Sequence, residues 1–189
     1  MQNLRSKLAF STLFLSVLFI LGNLSALASV SNFAAKDLLT QKTVQFPDAK
    51  AKATVVVFLS AKCPCSGSHE KSLAELFKIY GPQGFEFVGV HANQDETVAE
   101  SEKHFKEIAL PFPVVQDQNA KIANELKALK TPHAFIVQNG KVVFQGGVDD
   151  SAEAAHAHTF FLKQALEQVN ANQSVTVASA RALGCVIKR

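Results

Sequence analysis

Ser60-Ala61-Lys62-Cys63-Pro64-Cys65-Ser66 stands between the apolar run Val55-Val56-Val57-Phe58-Leu59 and a segment with helical patterning that begins near Ser66. A β-branched run, a proline-containing turn and a 3.6-residue period in succession read as strand, tight turn and helix start, with two thiols in the turn. A cysteine at the amino end of a helix faces unpaired backbone N–H groups and the positive end of the helix dipole, and both favour thiolate over thiol. Lys62 beside it adds positive charge, so Cys63 reads as a poised nucleophile.

Downstream, Leu73, Leu76, Phe77 and Tyr80 fall on one helical face before Gly81-Pro82 ends the helix. Phe85 to Val90 reads as a second strand. Val98, Phe105 and Ile108 mark an amphipathic helix that stops before Pro111, Phe112 to Val115 a short strand, and Ile122, Leu126 and Leu129 a third helix. Strands alternating with helices predict a parallel sheet with right-handed crossovers. Ala134 to Val137 and Lys141 to Phe144 then flank Asn139-Gly140, a dipeptide suited to a two-residue hairpin, so an antiparallel pair closes the sheet. Asp150 and Glu153 have capping-box spacing ahead of a last helix, whose Leu162, Ala165, Leu166 and Val169 share a face. Asp149 and Asp150 read as turn and cap residues.

Upstream, Ala53 to Leu59 has no polar alternation apart from Thr54, the pattern of a strand covered on both faces. Thr43 to Phe46 alternates like a peripheral strand, and Ala34 to Leu39 reads as a short helix. Arg5 and Lys7 precede the apolar run Leu8 to Leu21 and then Ala26-Leu27-Ala28, the pattern of a secretory signal cleaved after Ala28. That run falls short of the roughly 20 residues a spanning helix needs, so no stable membrane insertion is expected after cleavage. The chain divides into a signal at 1–28, an extension at 29–42, one folded domain at 43–169 and a tail at 170–189 carrying Cys185. The 189-residue chain has 19 basic and 16 acidic side chains. Loss of Arg5 and Lys7 brings these nearly to balance, which gives no indication of nucleic acid as partner. Three cysteines are too few for a disulfide scaffold and cannot all pair at once.

This order resembles the thioredoxin-like superfamily, an α/β fold with a central mixed sheet and helices on both faces. The residues that carry the resemblance are the turn cysteine Cys63 and the segment Lys130-Thr131-Pro132-His133-Ala134-Phe135 that enters the hairpin. In that superfamily a cis-proline packs against the active-site cysteine, and Pro132 occupies the matching position. More narrowly, Cys63-Pro64, Gly147-Val148-Asp149-Asp150 and the terminal Gly184-Cys185-Val186-Ile187 are similar to exported redoxins of the alkyl hydroperoxide reductase and thiol-specific antioxidant family. The chain departs from both standard motifs. Ser66 stands where a Cys-x-x-Cys motif has its second thiol, and Val56 where a peroxiredoxin Pro-x-x-x-Thr-x-x-Cys motif has its proline, with Ser60 in place of the threonine.

The resemblance implies a thiol–disulfide oxidoreductase, exported to the periplasm or secreted. Cys63 is then the nucleophile, Cys65 the nearest resolving thiol, Cys185 a conditional third member, and Pro132 shapes the site. Its partners are a protein thiol or disulfide substrate, or a small peroxide, and an external thiol reductant; no cofactor is required. A thiol peroxidase using Cys63 is the first alternative. The second is a copper- or zinc-binding protein without turnover, for which Cys63, Cys65 and His69 offer soft sulfur and imidazole within one stretch. A static bridge from Cys185 to one of the pair would leave one reactive thiol. His69 reads equally as a solvated surface group; His133, next to Pro132, stands close enough to tune a thiolate but reads at least equally as a strand-edge side chain. His91 and His104 show no evident partner, and His156 and His158 fall on different helical faces.

Overall fold

The computed structural model describes residues 30–189, so the signal expected at 1–28 lies outside the described residues. Its centre is β3 (Ala53–Leu59), all seven residues of which are buried. Alternate side chains of β3 serve opposite faces. Val55, Val57 and Leu59 pack with Leu73, Leu76 and Tyr80 of α1 (Pro64–Tyr80), Phe105 of α2 (Val98–Ile108) and Leu162, Leu166 and Val169 of α4 (Phe161–Asn170). Val56 and Phe58 pack on the other side with Ile122, Ala123 and Leu126 of α3 (Lys121–Leu126). An apolar run without alternation is therefore what a strand sandwiched between helices requires.

Beside β3 lie β4 (Phe85–His91) and β5 (Val114–Gln116), both parallel to it, on one side, and on the other β7 (His133–Gln138), antiparallel to β3, followed by β8 (Lys141–Gly146), antiparallel to β7, in the order β5-β4-β3-β7-β8. This is the mixed sheet with helices on both faces that the resemblance implies. Asn139 and Gly140 turn the β7–β8 hairpin with φ of 51° and 71°, as that dipeptide predicts.

Three expectations are corrected. Residues 34–39 form no helix. Phe33–Lys36 is a strand, β1, paired antiparallel with β2 (Thr43–Phe46), and the Phe33 and Phe46 rings meet at 5.5 Å. Tertiary pairing outweighs a weak helical signal here. The Asp150–Glu153 capping box does not form. Glu153 makes no cap, α4 begins at Phe161, and the Asp150 carboxylate instead accepts the His158 N–H at 2.9 Å. Val98 and Leu129, assigned to apolar faces, are about half exposed, at 50% and 59%.

The tail does not trail away. It runs beside β8, with Ser179 bridged to Gln145, and crosses Gly146 and Gly147, where an added Cβ would strike Ala180 and Arg181 backbone. It ends as β9 (Cys185–Val186), paired antiparallel with β6 (Lys130–Thr131). At the opposite margin of the sheet, Asp37 bridges to Val115 of β5. Among the described residues no helix is long and apolar enough to cross a membrane.

Candidate active site

The β3-to-α1 turn is held by a buried polar network. The Glu96 side chain is 1% exposed; it accepts the Ala61 N–H at 2.8 Å and the Asn93 amide at 3.1 Å, and meets the Ser60 hydroxyl. His91, at the carboxyl end of β4, brings Nε2 within 3.0 Å of the same carboxylate and Nδ1 within 3.0 Å of Gln116. Burial alone would raise the Glu96 pKa, but these hydrogen bonds from His91, Ser60 and Ala61 outweigh it and bring the carboxyl down to about 2. Ser60 Oγ in turn accepts the Cys63 N–H at 3.1 Å, and the Ser60 N–H donates to Ser66 Oγ at 3.1 Å. The turn is fixed from both sides.

On this frame Cys63 is the N-cap residue of α1, and Pro64 takes the first helical position, where a missing N–H costs nothing. The helix thus starts two residues before the expected Ser66. The Cys63 sulfur stands where a Ser or Asp oxygen usually caps, accepting the Ser66 N–H at 3.4 Å. As a thiol it donates to the Thr131 carbonyl at 3.0 Å. The Thr131–Pro132 peptide bond that follows is cis.

The antiparallel β6–β9 register pairs Thr131 with Cys185, so the tail delivers a third thiol to the turn. Gly184, at φ 153°, makes this approach possible, because a Cβ there would overlap the Thr131 carbonyl oxygen. The sulfurs of Cys63, Cys65 and Cys185 all lie within 4.8 Å of one another, and none is joined to another by a disulfide. Their ionisation is graded. Burial pushes the Cys63 thiol up, but hydrogen bonding by Cys185 and by the Ser66 N–H works against it, and Cys63 is left below its ordinary value. Burial raises Cys65, and the Cys63 charge raises it further. Burial, the hydrogen bond to Cys63 and the Cys63 charge push Cys185 up to about 12. Cys63 is the thiol that ionises first.

Other expectations about the site change. Lys62 does not face the sulfur. Its ammonium lies 3.1 Å from Glu100 and 3.0 Å from the Asp95 carbonyl, and the lowering of Cys63 comes from hydrogen bonds instead. His69 is not solvated. Its ring is 1% exposed, with Nδ1 2.7 Å from the Cys65 carbonyl and Nε2 3.1 Å from both Asp149 oxygens. Both ring nitrogens are engaged, which removes His69 from the ligand set with Cys63 and Cys65. Asp149, read as a turn residue, is its buried partner. His91 and His104 have carboxylate partners after all, Glu96 and Glu70, the latter at 2.7 Å. His133 is buried rather than edge-exposed. Burial lowers its pKa to about 4, and its Nδ1 accepts the Leu129 N–H at 3.3 Å. The Glu96–His91 pair left one usable trace: His91 ends a parallel strand, where α/β sheets gather their sites.

The AhpC/TSA family model matches residues 28–145, more than half of the chain. The thiol-disulfide oxidoreductase ResA of Oceanobacillus iheyensis is 26% identical over 111 residues, 57% of this chain and 57% of that protein. The chain therefore matches little more than half the length of that curated relative. Among solved structures, an uncharacterized conserved protein from Geobacillus kaustophilus superposes with a TM-score of 0.77 at 25% identity, covering 86% of this chain and 90% of its own. Peroxidoxin BcpB of Mycobacterium tuberculosis superposes with a TM-score of 0.60 at 17% identity, covering 78% and 97% respectively, a likeness of fold. The fold shared with the solved structures is the thioredoxin-like one.

Proposed function

Because the chain belongs to the AhpC/TSA family, we propose that it is an exported thiol–disulfide oxidoreductase in which Cys63 is the nucleophile and Cys185 the preferred resolving thiol. The observation that carries this reading is the sulfur cluster itself. One thiol caps a helix and is lowered in pKa, and two more lie within 4.8 Å of it. The Cys63 thiolate attacks one sulfur of a substrate disulfide, forming a mixed disulfide and expelling the other sulfur as a thiolate that takes a proton from solvent. Cys63 then carries no charge, so one of the causes that raised Cys185 disappears and its proton can leave to solvent. The Cys185 thiolate attacks the Cys63 sulfur, releases the second substrate thiol and leaves a Cys63–Cys185 disulfide. The substrate has gained two electrons and the protein has lost two, which an external dithiol returns by the same exchange.

Both thiols lie within 4.8 Å of the Cys63 sulfur, and Cys185 is preferred to Cys65 because its bridge avoids the small strained ring of Cys63-Pro64-Cys65. The likeness to ResA supports disulfide exchange. Peroxide reduction is less well supported, since the peroxiredoxin proline position is held by Val56, buried in mid-strand.

The test is trapping. Cys185→Ser should accumulate the mixed disulfide with a scrambled-disulfide protein, while Cys63→Ser should lose at least about 1000-fold in exchange rate. Exchange unchanged in Cys63→Ser overturns the proposal. Accumulation in Cys65→Ser but not in Cys185→Ser makes Cys65 the resolving thiol. Thiol-dependent loss of hydrogen peroxide without protein disulfide reduction makes the chain a peroxidase.

A further inference from the structure

We propose that Cys63, Cys65 and Cys185 together form a three-sulfur site for a soft monovalent cation, Cu(I). Disulfide exchange needs two thiols; the fold holds three. A cation bonded to three sulfurs at about 2.3 Å sets them about 4.0 Å apart, and these three lie within 4.8 Å of one another. Small side-chain rotations close that difference.

The ligands come from two separately anchored pieces of backbone, the start of α1 and the tail. Cys63 is the helix cap, Cys65 lies in the first turn of α1, and Cys185 is fixed by β9 pairing with β6. The Ile187 N–H to the Leu129 carbonyl, at 3.1 Å, and the Gln94 N–H to the Lys188 carbonyl, at 2.8 Å, hold the tail beyond it. Such anchoring lowers the cost of ordering a site. Cys65 and Cys185 are partly exposed, which gives an ion a route in.

The metal follows from the ligand number. Thiolates select Cu(I) or zinc, but zinc holds four ligands, and the described residues add no histidine or carboxylate to this cluster. His69, the nearest imidazole in sequence, is committed to Asp149 and the Cys65 carbonyl. On binding, the thiol protons leave to solvent, and the positive end of α1 faces the resulting anionic cluster. Metal loading and disulfide formation use the same sulfurs and exclude one another.

The experiment is anaerobic titration of the reduced chain with Cu(I) against the chromophoric chelator bicinchoninate, with X-ray absorption on the loaded protein and circular dichroism on every variant. One Cu(I) per chain with three sulfur neighbours is expected. Cys65→Ser and Cys185→Ser should each bind at least about tenfold more weakly at unchanged dichroism, whereas His69→Gln should bind within about twofold of the parent. No stoichiometric Cu(I) overturns the proposal, as do tighter Zn(II) binding, two-sulfur coordination, or a Cys185→Ser variant that binds like the parent. Because the readout is metal occupancy, failure here leaves the exchange assay of Cys63→Ser standing as a separate result.

Discussion

The turn after β3 and the tail that ends in β9 meet at the same sulfur atoms, yet they are secured in opposite ways. The turn is cross-tied by buried side chains. Glu96 alone engages Ala61, Ser60, Asn93 and His91, and the turn's backbone joins a fully buried strand to a seventeen-residue helix. The tail is held by main-chain pairing over two residues, flanking hydrogen bonds, the close approach of Gly184 and one buried apolar side chain, Ile187, with Val186 half exposed. Local opening free energies track buried contact and protected hydrogen bonds. The turn should therefore open only with the whole domain, while the tail can lift by itself. One thiol is permanent furniture and another is brought by a removable strap.

The largest effect that sharpens this contrast is expected from Glu96→Ala. It leaves the Ala61 N–H, the Ser60 hydroxyl and the His91 ring without their shared acceptor, at a cost of roughly 3 to 5 kcal/mol. A urea denaturation midpoint measures it, and a loss below about 1 kcal/mol would mean that the turn is not held by this carboxylate.

Acid comes next. His133 titrates near 4 in the folded chain against about 6.5 when unfolded. Between those values the unfolded chain takes up a proton and the folded chain does not, so stability is full above about 6.5 and falls towards pH 4, by up to about 3 kcal/mol. The His133 ring accepts the Leu129 N–H, and the Leu129 carbonyl accepts the tail's Ile187 N–H. Hydrogen exchange at pH 5 should therefore speed up at Ile187 before it does at Cys63, and His133→Gln should remove that pH dependence. Equal acceleration at both amides would erase the contrast.

A smaller effect is expected from Gly184→Ala, at about 1 to 2 kcal/mol. Its signature is chemical: the yield of a Cys63–Cys185 crosslink on mild oxidation should fall about tenfold while Cys63 alkylation persists. Crosslinking at the parental yield would show that the tail does not depend on this glycine. Val186→Ala, on the exposed side of the strap, should change the midpoint by less than about 0.5 kcal/mol.

The same contrast explains what could be read in advance. The turn was legible because strand, proline and helix period are local and each has its own signature. Val55 to Leu59, Cys63-Pro64 and Leu73 to Tyr80 carried it, and Asn139-Gly140 carried the hairpin. The tail was not, because β9 pairs two residues with a segment more than fifty positions away and has no periodicity to detect. The buried pairs were hidden for a related reason. His69 with Asp149 are eighty residues apart, and a histidine on a helix looks alike whether it faces water or a carboxylate. Glu96 has no signature of its own in the sequence, and only the arrival of β4 beside β3 turns it into the support of the Cys63 turn.

The two isolated bridges at the margins of the sheet have a consequence for life among other chains. β5 and β8 are the outermost strands, and each is partly covered by a segment from elsewhere, Asp37 on one and Ser179 on the other. A sheet whose flanks are occupied offers a neighbour little free backbone to zip onto, so the fold resists edge-to-edge aggregation at both ends. The segment that brings Cys185 to the turn also guards the sheet against its own kind.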